Sequence, residues 1–240
     1  MDAQQIVLTE LAADVQRAVA TTRQQVSDLH AELTRYDLVV WTAGNVSERV
    51  PGTDLMVIKP SGIRYHELSA DAMVVCTLDG EKIQDGTAAH LSPSSDTAAH
   101  AYVYRHMPEV GGVVHTHSTY ATAWSIVGEP IPCVMTMMGD EFGGDIPIGP
   151  FAIIGDDSIG RGIVETLKNS TSRAVLMQSH GPFTIGRTGE EAVRAAAMCE
   201  EVARTAAIAR QLGPAIPIPQ ETIDRLHHRY QNVYGQHPEA

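Results

Sequence analysis

Residues 109–128 read EVGGVVHTHSTYATAWSIVG, and this stretch decides the fold class. The apolar run before His115 suits a short buried strand, and it ends in His115-Thr116-His117. Residues two apart on a strand share a face, so the spacing projects both imidazoles to one side. The following TYATAWSIVG has the apolar spacing of a helix. The same mixture continues outward. Ile6, Leu8, Leu11, Val15, Val19, Val26, Leu29 and Leu33 recur every three to four residues, which predicts one long or two consecutive amphipathic helices. Residues 37–50 (DLVVWTAGNVSERV), 54–60 (DLMVIKP) and 71–83 (DAMVVCTLDGEKI) predict strands separated by turns. A helix opens near Ser94 or Ser95. Residues 131–139 (IPCVMTMMG) predict another strand, leading into a Gly- and Pro-rich loop that carries Asp140. Residues 156–170 predict a helix with Asp caps, 174–186 (AVLMQSHGPFTIG) two strands joined near Gly181-Pro182, and 189–213 a long Ala-rich helix. The tail from Glu221 predicts a last helical arm over about 221–240. Strands and helices mix without strict alternation, and no repeat or linker divides the chain. The expectation is one α/β domain over 1–240 with a mixed, mostly antiparallel sheet.

Composition narrows the function. There are 17 Lys and Arg against 29 Asp and Glu, a formal charge of −12. Nucleic-acid backbones need clustered cations, so a nucleic-acid partner is not expected. No apolar run approaches the roughly 20 residues of a membrane span, and the amphipathic, acidic N-terminus does not read as a secretory leader. Cys76, Cys133 and Cys199 sit in apolar contexts without a C-x-x-C, which points to buried thiols and a cytoplasmic location. Histidine stands out, with eleven residues.

His115 and His117 are candidates to grip one divalent ion; the plain alternative is one core and one surface histidine. His180 adds to them, since it also ends an apolar strand and precedes Gly181. Three protein ligands with an open fourth position is the pattern of a catalytic Zn²⁺ site. His30, His66, His90, His100, His106 and His237 read as surface residues, and the role of His227 and His228 stays open. Thr42 to Ser47, Lys59-Pro60-Ser61-Gly62 and Ser94-Ser95-Asp96 are small-residue loops. Amides at a Gly turn and a helix N-terminus, with Ser hydroxyls and one Lys, can cradle a phosphate. Each alone is also an ordinary turn or cap.

The combination of TAGNVSERV (42–50), IKPSGIRYHEL (58–68), the stretch 91–124 and SHGPFTIGRTGEEAVRAAAMCEEVAR (179–204) resembles the class II aldolase/adducin family. Asp96 after the Ser pair, Asp140, SHGPF and Tyr234 resemble its branch of pentulose-phosphate 4-epimerases. The resemblance runs from about residue 10 to 236. It implies a three-layer α/β/α domain, a sugar-phosphate substrate and homotetramers with active sites at subunit interfaces. It implies zinc held by His115, His117 and His180, with Asp96 beside the metal; Mn²⁺ or another divalent ion is an alternative. Gly44, Asn45, Lys59, Ser61, Gly62, Ser94 and Ser95 match the substrate- and phosphate-binding loops. Asp140 and Tyr234 match the epimerases' acid/base pair, the Tyr coming from a neighbouring subunit. A histidine of the final helix pairs with Leu226, His227 or His228.

The implied reaction turns L-ribulose 5-phosphate into D-xylulose 5-phosphate. Carbon 4 is not adjacent to the carbonyl, so enolisation cannot invert it. Retro-aldol cleavage, rotation of the aldehyde fragment and re-addition can, with a proton taken on one face and given on the other. One rival is a class II aldolase that releases both fragments of a ketose phosphate such as L-fuculose 1-phosphate; those enzymes carry Glu where this chain has Asp96. A non-catalytic adducin-like binding module is the other, although such modules lose the metal histidines. A cupin barrel also uses an H-x-H but does not fit the long helices.

Overall fold

The computed structural model describes residues 5–233. Seven strands form one sheet: β1 (Asn45–Arg49), β2 (Leu55–Ile58), β3 (Val74–Thr77), β4 (Gly112–His115), β5 (Ile148–Gly149), β6 (Ala174–Met177) and β7 (Gly181–Gly186). Their order is β3-β2-β1-β4-β7-β6-β5, and every neighbouring pair is antiparallel except β5–β6. Among the described residues there are seven α-helices: α1 (Ala13–Arg35), α2 (Thr97–His106), α3 (Thr119–Val127), α4 (Thr136–Phe142), α5 (Ser158–Leu167), α6 (Gly189–Leu212) and α7 (Gln220–Asn232).

Period-two alternation makes the layers. Met56, Ile58, Val74, Cys76, Val113, Val175, Met177, Phe183 and Ile185 point to one face and pack with α2 and α5. Val46, Leu55, Val57, Val75 and Val114 point to the other, against Val19, Val26 and Leu33 of α1 and Ala192, Val193 and Ala196 of α6. Ala174 and Leu176 carry that second face on to Trp124, Met138 and Phe142. Each buried Val, Leu, Ile, Met or Phe side chain contributes roughly 1.5–3 kcal/mol by leaving water, and the result is an α/β/α sandwich. Helix ends follow their signals: the Thr188 hydroxyl accepts the Glu191 amide at the start of α6, and α6 stops at Gly213.

Antiparallel order also gathers the loops. β1 and β7 begin at the sheet edge where β2, β4, β5 and β6 end. The approaches to β1 and β7 and the exits of the other four therefore share one edge. The start of α2 is tied there too, because Ser94 donates its amide to the Lys59 carbonyl (3.0 Å) and Ser61 to that of Ser92 (2.8 Å).

Three expectations are corrected. Residues 37–44 are not strand: Asp37 and Trp41 take φ of 54° and 62°, and only 45–49 enter the ladder. Residues 131–139 are not strand either. Ile131 forms a single bridge to Ile146, and Thr136 onward is helix, since Met has strong helix propensity and Gly143 provides a left-handed C-cap. Asp140 therefore sits on a helix rather than a loop. His30 and His100, expected at the surface, are 1% and 0% exposed. His66, His90 and His106 are exposed, and His237 lies outside the described residues.

Candidate functional site

A cleft of about 420 Å³ opens at the shared edge, lined by residues of 42–45, 59–62, 94–96, 115–117, 151–154 and 179–180. Its polar centre is His115, His117 and His180, whose candidate ligand nitrogens all lie within 4.8 Å of one another. His115 is the last residue of β4 and fully buried, stacked 4.1 Å from the Phe183 ring. His117 falls beyond the strand, contrary to the strand reading of H-x-H, and is exposed to the cleft. His180 occupies the β6–β7 turn behind Ser179, which takes a φ of 57°.

The protonation states suit a cation. The Nδ1 of His115 lies 3.1 Å from the Pro182 carbonyl, an acceptor, so it carries the hydrogen and leaves Nε2 bare. That nitrogen is 2.9 Å from Nε2 of His117. Two lone pairs at this distance repel unless a proton or a metal lies between them. Burial lowers the pKa of all three histidines, that of His115 to about 3. Asp96 is 5% exposed. Burial alone would raise its carboxyl, but His115, His100, the Asn45 amide and His180 outweigh burial and lower it. Its Oδ2 accepts from Asn45 Nδ2 at 2.7 Å, and its Oδ1 has no protein partner. Neutral imidazoles beside an ionised carboxylate form a donor set compatible with a divalent metal.

Around this centre lie the phosphate-type groups. Lys59, 2% exposed, donates to the carbonyls of Thr42 (3.1 Å) and Pro60 (3.3 Å), and burial lowers its pKa to about 8. Ser61, Gly62, Ser94 and Ser95 line the same cleft. Gly44 has φ +82°, and a Cβ there would lie 2.9 Å from the His115 carbonyl. A Gly44→Ala variant should therefore lose about 1–3 kcal/mol of stability, read as a lower midpoint in thermal unfolding.

The structure thus brings together Gly44, Asn45, Lys59, Ser61, Gly62, Ser94, Ser95, Asp96, His115, His117 and His180. Asp140 does not line this cleft. It lies on α4 facing α7: His227 Nδ1 donates to the Asp140 carbonyl at 3.1 Å, and burial raises the Asp140 carboxyl against Arg229 and His227. Tyr234 lies outside the described residues. Phe151, Ala152 and Ile154 form an apolar wall that the sequence reading did not single out. Its only signal was their place in a Gly- and Pro-rich segment.

A mixed sheet sandwiched by helices thus carries, in a Ser- and Lys-lined cleft at one edge, three histidines compatible with a divalent-metal site. Residues 24–207 match the Class II Aldolase and Adducin N-terminal domain, and the chain belongs to the class II aldolase/adducin family. At the level of particular proteins, it is 42% identical to the L-ribulose-5-phosphate 4-epimerase UlaF of Salmonella paratyphi C (strain RKS4594), over 89% of this chain and 98% of that one. Among solved structures, an L-fuculose 1-phosphate aldolase superposes with a TM-score of 0.80 at 24% identity, covering 92% of this chain and 98% of the other, a likeness of fold. The L-fuculose-1-phosphate aldolase of Thermus thermophilus matches with a TM-score of 0.64 at 25% identity, covering 83% of this chain and all of the other (100%).

Proposed function

We propose that this chain epimerises L-ribulose 5-phosphate at carbon 4, giving D-xylulose 5-phosphate by reversible cleavage of the C3–C4 bond. The observation that carries the reading is a single cleft in which metal-type donors (His115, His117, His180, Asp96) meet phosphate-type donors (Lys59, Ser61, Ser94, Ser95). The likeness to L-ribulose-5-phosphate 4-epimerases supports the same substrate. Zn²⁺ is the proposed ion, suited to three imidazoles with an open position; when bound it supplies Lewis-acid stabilisation of the charge left by cleavage.

The chain's own groups do the rest. Lys59, the Ser hydroxyls and the Gly62 turn hold the phosphate, so the two-carbon aldehyde stays tethered while its carbonyl face turns. Asn45 aims the Asp96 carboxylate. Asp140 and Tyr234 take and give the hydroxyl protons on opposite faces. Asp140 does not line the cleft of its own chain, so its role requires a neighbouring subunit whose site it reaches, as in the homotetramer proposed for this chain. Residues 1–240 act as one domain in this reading. Among the described residues no helix is long and apolar enough to cross a membrane, and the three cysteines are free and buried, which fits a cytoplasmic enzyme.

Two results follow. Lys59 must be charged to hold phosphate, and it loses its proton as pH rises through about 8 in the free protein. The kcat/KM should therefore fall above that pH, and Lys59→Met should remove this alkaline limb while raising KM. Tyr234→Phe should cut kcat by about a hundredfold or more with little change in KM; unchanged turnover would remove Tyr234 from the acid/base pair.

The chemistry is tested by running the reaction in D₂O. Cleavage and re-addition break no C–H bond, so the D-xylulose 5-phosphate should carry no carbon-bound deuterium. Deuterium at carbon 3 or 4 would mean deprotonation and would overturn the mechanism. Release of deuterated dihydroxyacetone without epimer would mark an aldolase instead.

A further inference from the structure

We propose that His30, outside the cleft, is a positioning residue for this reaction: with Tyr65 it latches the 42–46 turn that presents Asn45, and through it Asp96, to the substrate. The proposal rests on the reading of Asn45 and Asp96 as substrate-side groups.

His30 lies on the buried face of α1 with Val19, Val26 and Leu33. Both its nitrogens are engaged. Nε2 accepts the Val46 amide at 3.0 Å, so Nδ1 carries the hydrogen and donates it to the Val26 carbonyl at 2.6 Å. Burial keeps the ring neutral, with its pKa lowered to about 3, and so preserves the acceptor. The contact falls where β1 outruns β2. Their pairing starts at Ser47↔Ile58, so Val46 has no partner in β2, and the histidine supplies one from a helix.

Tyr65 extends the latch along the turn. Its hydroxyl lies 2.9 Å from the Ala43 carbonyl and 3.0 Å from that of Gly44, with one hydrogen shared between them. Its ring is 6.0 Å from the His30 ring and 5.4 Å from Lys59 Nζ, and Lys59 holds the Thr42 carbonyl. Three successive carbonyl oxygens are thus taken by donors of the protein. An oxygen swung toward a bound phosphate would repel it, so fixing these carbonyls fixes the polarity of the turn. The next residue, Asn45, donates to Asp96 Oδ2 and to Ser94 Oγ (3.0 Å), which carries the setting across to α2.

The test compares His30→Leu, which removes the acceptor, with His30→Gln, whose amide oxygen can replace it. The readouts are hydrogen exchange at the Val46 amide, metal content, KM and kcat for L-ribulose 5-phosphate, and affinity for inorganic phosphate. His30→Leu should speed Val46 exchange and raise KM about tenfold at unchanged metal content, and His30→Gln should return both toward the wild-type values. If His30→Leu does not fold, Tyr65→Phe, which removes only the hydroxyl at Ala43 and Gly44, should give the same KM rise. Wild-type KM in a folded His30→Leu or in Tyr65→Phe overturns the latch, as does unchanged Val46 exchange. If the wild-type protein is inactive on L-ribulose 5-phosphate, the functional reading fails separately. The latch then stands or falls on whether phosphate binding weakens in His30→Leu and recovers in His30→Gln.

Discussion

A His117→Ala variant should lose activity on L-ribulose 5-phosphate by about a thousandfold or more while folding as the wild type does. His117 is exposed at the cleft, where its ring meets those of His115 and His180, so removing it opens onto the cleft. What goes is one of three nitrogens within 4.8 Å of one another. The two histidines left, His115 and His180, with the Asp96 carboxylate beside them, give an ion one nitrogen fewer and hold it more weakly. Two readouts besides activity follow. Metal content of the purified protein should fall, and the wild-type rise in unfolding temperature on adding Zn²⁺ should be lost. An ion at a hundred times its Kd stabilises the fold by about 2.7 kcal/mol through mass action. An active, metal-replete His117→Ala protein would remove the trio from the mechanism.

Asp96→Asn is expected to be nearly as damaging, by about a hundredfold or more in kcat, with little loss of stability. Asp96 occupies the N-cap position of α2, but its side chain makes no capping hydrogen bond, so the exchange takes none from the helix start. The new amide can keep its oxygen on Asn45 Nδ2, where Asp96 Oδ2 now accepts at 2.7 Å. Its NH₂ must then take the place of Oδ1, the buried oxygen without a protein partner. An uncharged donor there can neither balance a cation nor accept a proton. Unfolding temperature should stay near that of the wild type while turnover collapses. A large stability loss would make Asp96 a structural residue instead.

The layout of the site was partly legible from sequence. His115 and His180 announce themselves because each ends an apolar run, and strand ends in an antiparallel sheet must lie at an edge. The Ser, Gly and Lys loops are ordinary turns until the strand order places them together. That order depends on pairings between distant residues, such as Asn45 with His115 and Phe183 with His115. His30 and His100 were misread for the same reason. Their cross-fold partners are Val46 and Ser47, sixteen and 53 residues away; His30 does fall in the apolar spacing of α1, four residues after Val26 and three before Leu33, but that spacing alone names no partner for a buried imidazole. The helix at 136–142 was missed because an apolar run reads as strand unless its pairing is known, and here only Ile131 pairs. Asp96 and Asp140 took their roles from family resemblance. The fold brings Asp96 into the cleft and leaves Asp140 on α4.

The most direct test is to incubate the purified protein with L-ribulose 5-phosphate and Zn²⁺ and identify the products. The account predicts D-xylulose 5-phosphate, abolished by a chelator and restored by the metal, with no accumulation of glycolaldehyde phosphate. Accumulating cleavage fragments without D-xylulose 5-phosphate, or no metal-dependent conversion at all, would contradict it.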